Sequence, residues 1–315
     1  RSSCTSFCTS NTQITAQCSN RCSPHILPHS TEVPILAAYN RSRNLENRKR
    51  PILLFYYKGI EIKSDEIKQI ITTKYSKIVK SGCGCGNTSS CCGSSLSPKQ
   101  ISKSIGYSEE EINAALEANL GLGCGNPVAL STIKEGDVVL DLGSGAGFDA
   151  FLAAKKVGNK GKVIGLDMSE EMIRKARENV KRYGYQNVEF KLGDIENIPI
   201  ESNTIDCIIS NCVINLSPDK EKVFSEAHRV LKNGGKMFIS DIVLLEELTQ
   251  EQRNDEALIA GCVGGAVLKD DYIKMIQNAG FKVKVLAEDK EISKRQYNGI
   301  KVESIKIEAT KESNQ

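Results

Sequence analysis

From residue 137 onward, short apolar runs alternate with stretches of helical period, and no other feature constrains the fold so tightly. Runs at about 137–142, 162–167, 187–191, 205–210, 236–241, 281–287 and 302–309 read as strands. Helical segments separate the first five, and another at about 269–278 precedes the sixth. The punctuation agrees. Ser169 with Glu170 and Glu171 opens one helix, and Ser217 with Pro218 opens another. Asn233-Gly234-Gly235 is expected to close the second of these, and Gly280 the helix before "FKVKV". Strand–helix alternation of this kind predicts an α/β fold with a doubly wound, mostly parallel seven-stranded sheet.

The N-terminal third reads differently. Residues 1–57 are rich in Ser, Thr, Asn, Cys and Arg without a clear period, and are expected to be a disordered leader, a transit peptide being the alternative. Residues 58–126 form a helical segment with a Cys/Gly-rich loop. Ile67, Ile70, Ile71, Tyr75 and Ile78 share one face of a helix that Ser64 can cap. "SGCGCGNTSSCCGSSLSP" follows with Cys83, Cys85, Cys91 and Cys92, and Ser108 with Glu111 forms a capping box for a helix reaching about Ala118. The main domain spans 127–315, with an insertion around 245–268 near the substrate site.

Residues 1–57 hold seven of the 42 Lys/Arg and two of the 39 Asp/Glu, which leaves the body close to neutral and without a nucleic-acid footprint. The longest strongly apolar run, "PILLFYY", is too short to span a bilayer, so no membrane partner is expected. Twelve cysteines are many, but a chain of 315 residues buries a core without disulfides, and no secretory signal pattern is visible. Reduced thiols and a cytoplasmic location follow. Two of the three histidines lie in the leader, which argues against a histidine metal site; the third, His228, reads as solvated or locally paired.

"VVLDLGSGAGFDAF" (138–151) is a strand, an acid and a glycine turn at Gly143, Gly145 and Gly147, with Ser144 inside it. The turn suits a ligand at a helix N-terminus. A nicotinamide fingerprint would place glycine at 148, where Phe148 stands. Asp141 ends the first strand, and Asp167 ends the second, where an acid can take both ribose hydroxyls. Asp194 in "LGDIENIP" follows the third, where adenine would lie. This set resembles the class I S-adenosylmethionine-dependent methyltransferases. The resemblance implies a Rossmann-like sheet whose last strand, "VESIKIEAT", is antiparallel. It puts Asp167 on the ribose, Met168 against adenine, and Asp194 with Ile195 near the adenine edge. It gives Asp141 and the turn from Gly143 to Gly147 the amino-acid part. Asn211, past the fourth strand, faces the same site.

In "SNCVINLSP", just after the fourth strand, stand Asn211, Cys212 and Asn215, with no histidine or carboxylate in the nearest positions to serve as a base. Cys124 in "NLGLGCGNP" and Cys262 in "AGCVGGA" are each flanked by glycine. Separations of 88 and 50 residues match no zinc-finger spacing, so if these thiols meet, the fold brings them together. Three thiolates suit a soft centre such as trivalent arsenic, whose lone pair attacks a methyl carbon without deprotonation. Cys207, inside the fourth strand, reads as a small buried hydrophobe.

"NLGLGCGNP", "LDLGSGAGFD", "SNCVINLSPDK" and "AGCVGGA" together resemble the arsenite methyltransferase family, from about Tyr75 to Phe281. The resemblance implies methyl transfer from S-adenosylmethionine to arsenite or methylarsenite, hence arsenic detoxification, with Cys124, Cys212 and Cys262 holding arsenic. Cys124 would lie on a segment able to swing in as the third ligand. An upstream family thiol matches Cys91 and Cys92 only loosely, as possible accessory ligands. Re-reduction of arsenic implies a thioredoxin-type or glutathione-like thiol co-substrate. Departures are Leu122, where many members have tyrosine, and an end soon after the last strand. The competing readings are a quinone-type C-methyltransferase and a metalloid-binding protein without turnover.

Overall fold

The computed structural model describes residues 64–80, 97–253 and 255–312, together with a short antiparallel pairing of Tyr56–Tyr57 with Ile60–Glu61. Residues 1–55 of the leader, and Cys83, Cys85, Cys91 and Cys92, lie outside the described residues. Seven strands form one sheet: β1 (Val138–Leu142), β2 (Lys162–Asp167), β3 (Val188–Leu192), β4 (Ile205–Asn211), β5 (Leu231–Leu244), β6 (Phe281–Asp289) and β7 (Val302–Lys311). Their order is β3-β2-β1-β4-β5-β7-β6, and only β7 runs against its neighbours. The doubly wound sheet and its antiparallel last strand are as the sequence predicts.

The central strands read as continuous apolar runs because both of their faces are covered. Alternate residues point to opposite layers. Leu140, Ile208, Met237 and Ile239 pack under α7 (Lys220–Val230) and α10 (Lys269–Asn278). Val139, Cys207, Ile209 and Phe238 pack under α5 (Phe148–Val157) and α6 (Glu170–Tyr183). Cys207 is buried there as expected, and burial pushes its thiol up to about 12. A third cluster sits beyond the strands' C-terminal ends. It joins Ile71 of α1 (Ser64–Lys80) to Leu216, Ile242, Tyr297 and all three thiols at 124, 212 and 262.

Two local expectations are corrected. Ser217 does not cap α7. A short 3₁₀ turn, Ile214–Leu216, precedes it, and Asp219 is the cap, accepting from the Lys222 N–H at 3.0 Å. The Ser217 hydroxyl turns inward instead and donates to Glu196 at 2.6 Å. Nor does Asn233-Gly234-Gly235 close the helix. α7 ends at Val230, Leu231 already pairs with Ile205, and the glycines absorb the register shift before Lys236 pairs with Cys207. β5 also runs on to Leu244, because β7 pairs with it as far as Val302. Ser240 and Asp241, near the C-terminal end of the predicted run, lie beside the thiols.

Candidate active site

β1 lies between β2 and β4, so the chain's direction of winding reverses there. The crevice beyond those strand ends is where open α/β sheets bind ligands. One cavity occupies it, lined by Asp141, Gly143, Ser144, Gly145, Asp167, Met168, Asp194, Ile195 and Asn211 on one side and by Cys212 and Cys262 on the other. The cofactor residues and the thiols named from the sequence therefore share one space; Gly147 packs beneath it. Helix α1 roofs the cavity with Lys68, Ile71, Thr72, Tyr75 and Ile78.

The glycine turn does two jobs. A Cβ at Gly143 would stand 2.3 Å from Val213, so glycine there is needed for packing. At Gly145 a Cβ would meet nothing nearer than Met172 Sδ at 3.9 Å, which leaves open space on the cavity side. Asp167 accepts from the Gly145 N–H and the Ser169 N–H, both at 2.9 Å, and fixes the turn against β2. Asp141 Oδ2 and Ser144 Oγ are buried without a partner. Burial, then the charges of Asp149 and Asp167, raise the Asp141 carboxyl well above its ordinary value. A buried carboxylate with one oxygen unpaired, beside open space over a glycine turn, fits the cationic amino-acid end of S-adenosylmethionine.

Three of these residues have protein partners that the sequence did not signal. Lys68 Nζ donates to Asp194 at 2.7 Å and to Glu196 at 2.5 Å. Burial alone would lower that lysine's pKa, but the two carboxylates raise it. The side chain of Asn211 is fully engaged: its Oδ1 accepts from the Cys124 N–H at 3.0 Å, and its amide donates to Tyr107 Oη, Gly125 O and Asp149. Asp149 also accepts from the Tyr107 hydroxyl at 2.6 Å, and burial, offset by these bonds, raises it to about 6. Asn211 thus pins the Cys124 loop to Tyr107 and Asp149.

The thiols do meet. Cys212 stands directly beside both Cys124 and Cys262, and those neighbours, then burial, push its thiol well above the ordinary range. Burial also raises Cys124. Cys212 (φ 57°) and Cys262 (φ 66°) both hold left-handed backbone, a conformation that costs about 1–2 kcal/mol for a side-chain-bearing residue and clusters at functional sites. The Cys262 thiol donates to Cys212 O at 2.7 Å. The flanking glycines allow the close approach expected of them. A Cβ at Gly123 would stand 2.8 Å from the Asn211 amide, and one at Gly125 would stand 2.6 Å from Ser240 Oγ. Cys124 is not on a loose arm: Ser304 donates to its carbonyl at 2.8 Å, and its thiol donates to Ser240 O at 3.3 Å.

The sequence reading found no carboxylate beside the thiols, and the structure supplies one. Asp241, fully buried on β5, has an oxygen in a group with the Cys124 and Cys212 sulfurs whose atoms all lie within 4.8 Å of one another. Ile242 N–H and Asn215 Nδ2 donate to its Oδ1, and Tyr272 Oη to its Oδ2, each at 2.9 Å. Burial raises it to about 6 despite those donors and nearby Lys220. The available signal was an acid near the C-terminal end of a strand, as at Asp141 and Asp167. Among the described residues no helix is long and apolar enough to cross a membrane.

A family model for a methyltransferase domain matches residues 133–280, so sheet and cavity define a methyltransferase domain. The arsenite methyltransferase of Halobacterium salinarum is 41% identical over 71% of this chain, and that of Homo sapiens 33% over 70%. In both cases the match spans 59% of the relative's own length. The crystal structure of an arsenic(III) S-adenosylmethionine methyltransferase from Chlamydomonas reinhardtii is 33% identical, covers 68% of this chain and 73% of that one, and superposes with a TM-score of 0.52. The chain belongs to the arsenite methyltransferase family.

Proposed function

We propose that the protein transfers methyl groups from S-adenosylmethionine to trivalent arsenic held by Cys124, Cys212 and Cys262. One observation carries the reading: two of three clustered thiols line the cavity that also holds the glycine turn, Asp141 and Asp167. The bound cofactor supplies an electrophilic methyl group on a cationic sulfur. Asp141, Asp167 and Asp194 hold its amino-acid, sugar and base parts, and the Gly143–Gly147 turn lets it approach the backbone. The raised Cys124 and Cys212 thiols suit arsenite. Each protonated sulfur that replaces an arsenic hydroxyl provides the proton with which that hydroxyl leaves as water. The fixed loops at 124, 212 and 262 then aim the arsenic lone pair, and catalysis is largely positioning. Ile71, Tyr75 and Leu216 exclude bulk water from that side.

Transfer leaves arsenic formally pentavalent, so a thioredoxin-type or glutathione-like thiol is the co-substrate that restores it, and the process detoxifies arsenic. A quinone-type C-methyltransferase would not need three convergent thiols, and a metalloid store would not need a buried Asp141 with one oxygen unpaired at the same cavity. Incubation with methyl-labelled S-adenosylmethionine, a thiol reductant and either arsenite or no acceptor tests the reading. Label is expected in arsenic species only when arsenite is present; arsenite bound stoichiometrically without transfer would overturn it.

A further inference from the structure

Trivalent arsenic needs three sulfurs and no oxygen, yet a buried carboxylate is built against two of them. We propose that Cys124, Cys212 and Asp241 form a second, overlapping donor set for a thiophilic divalent cation of the zinc(II) or cadmium(II) class, which therefore competes with trivalent arsenic. The two sets share Cys124 and Cys212. They differ in the third member, Cys262 for arsenic and Asp241 for the cation, and Cys262 is not in the group whose donor atoms lie within 4.8 Å of one another.

The chemistry of the donors supports the division. A d¹⁰ dication takes tetrahedral sulfur and carboxylate oxygen together, whereas arsenic's lone pair occupies its fourth direction. Asp241 is already held by Ile242 and Asn215 on Oδ1 and by Tyr272 on Oδ2, and Oδ2 keeps a lone pair for a further bond. Closing the donors to a tetrahedral edge of about 3.8 Å needs movement of about 1 Å. Charge balances as well. Lys220, buried with its Nζ donating to Ser217 O at 3.0 Å, lies close enough to act on both Asp241 and Cys262. A dication, two thiolates, one carboxylate and one ammonium sum to zero. On binding, two S–H bonds release protons to solvent as two metal–sulfur bonds form.

The test uses the full-length chain with serine at Cys4, Cys8, Cys18, Cys22, Cys83, Cys85, Cys91 and Cys92, so that only the four buried thiols remain. Cadmium(II) is titrated by its thiolate charge-transfer absorption and arsenite by calorimetry. One equivalent of cadmium is expected, excluded by prior arsenite. D241N should weaken cadmium at least tenfold and change arsenite affinity less than twofold. C262S should do the reverse, losing arsenite and keeping cadmium within about threefold. The asparagine can keep all three hydrogen bonds, since Tyr272 Oη can accept as well as donate. Should D241N nevertheless fail to fold, the C262S arm decides alone. Cadmium lost in parallel with arsenite there, cadmium unchanged in D241N, or both ligands bound at once would each overturn the proposal. Cadmium that depends on Asp241 in a protein that never binds arsenite would sustain it and instead sink the proposed function.

Discussion

At the scale of single residues, electrostatics separates groups that look alike in the sequence. Asp167 and Asp241 both sit near the ends of strands, and both are raised by burial. Asp167 faces the cavity and holds the Gly145 turn. D167A should weaken S-adenosylmethionine binding by on the order of 2–3 kcal/mol, through lost charge-assisted hydrogen bonds, while arsenite affinity stays within about twofold. Calorimetry with each ligand checks it, and normal cofactor affinity would refute the ribose assignment. Asp241 should instead govern stability. Its carboxyl titrates at about 6 in the folded chain against an ordinary value of 3.8. Between those values the folded state holds a proton that the unfolded state has released. Stability from this group is therefore full below pH ~4 and is lost as pH rises through about 6. The non-titrating D241N should accordingly gain on the parent from pH 4 to pH 7.5, by at most about 3 kcal/mol. Denaturant melts at the two pH values measure it, and an unchanged difference would show that Asp241 does not carry the shift.

At the scale of elements, the sequence was legible where one element explains itself. The capping box at Ser108 and Glu111 forms as written, and so does the Ser169 cap on Met172 N–H. These signals rest on neighbours three residues apart. The failures involve partners far away in the chain. Ser217 has the composition of a cap, but Glu196, 21 residues earlier in the chain, takes its hydroxyl. Lys68 looks like one more exposed lysine on an amphipathic helix until β3 and its following loop bring Asp194 and Glu196 beneath it. Helix α1 is then tied at several places, among them Lys68 to Asp194 and Glu196, Lys74 to Glu256 O at 3.2 Å, Ser76 and Lys80 to Glu171 at 2.7 and 2.8 Å, and Tyr75 Oη to Ala260 O at 3.0 Å, beside the Cys262 loop. K68M should loosen the first tie. With Lys68 about one-fifth exposed, a cost of about 1 kcal/mol is expected. It should appear as roughly fivefold weaker S-adenosylmethionine binding and faster amide exchange in α1. Unchanged exchange would mean that the other ties suffice.

At the scale of the whole molecule, the thiol cluster is the feature that sequence shows least and topology makes. Cys124 precedes β1, Cys212 follows β4, and Cys262 follows a helix, Glu256–Ala260. Only the strand order, with β4 and β5 side by side at the centre, puts these segments at one end of one sheet. Arsenic's valence then divides their roles. Arsenite offers three exchangeable oxygens and can take all three sulfurs; methylarsenite, with one carbon attached, can take two. Cys212 and Cys262 line the cavity shared with the cofactor side, whereas Cys124 sits behind them, its thiol on Ser240 O. C212S and C262S should therefore abolish methylation of both compounds, because serine offers a hard, protonated oxygen. C124S should lose arsenite methylation and keep much of the activity on methylarsenite. C207S, in the core cluster with Val139 and Phe238 and apart from the three thiols, should change neither. Turnover of each variant on each arsenical, with strong thiol present so that reduction is not limiting, decides the matter. Parental arsenite turnover in C124S, or any turnover in C212S, would show that the three sulfurs do not act as one site.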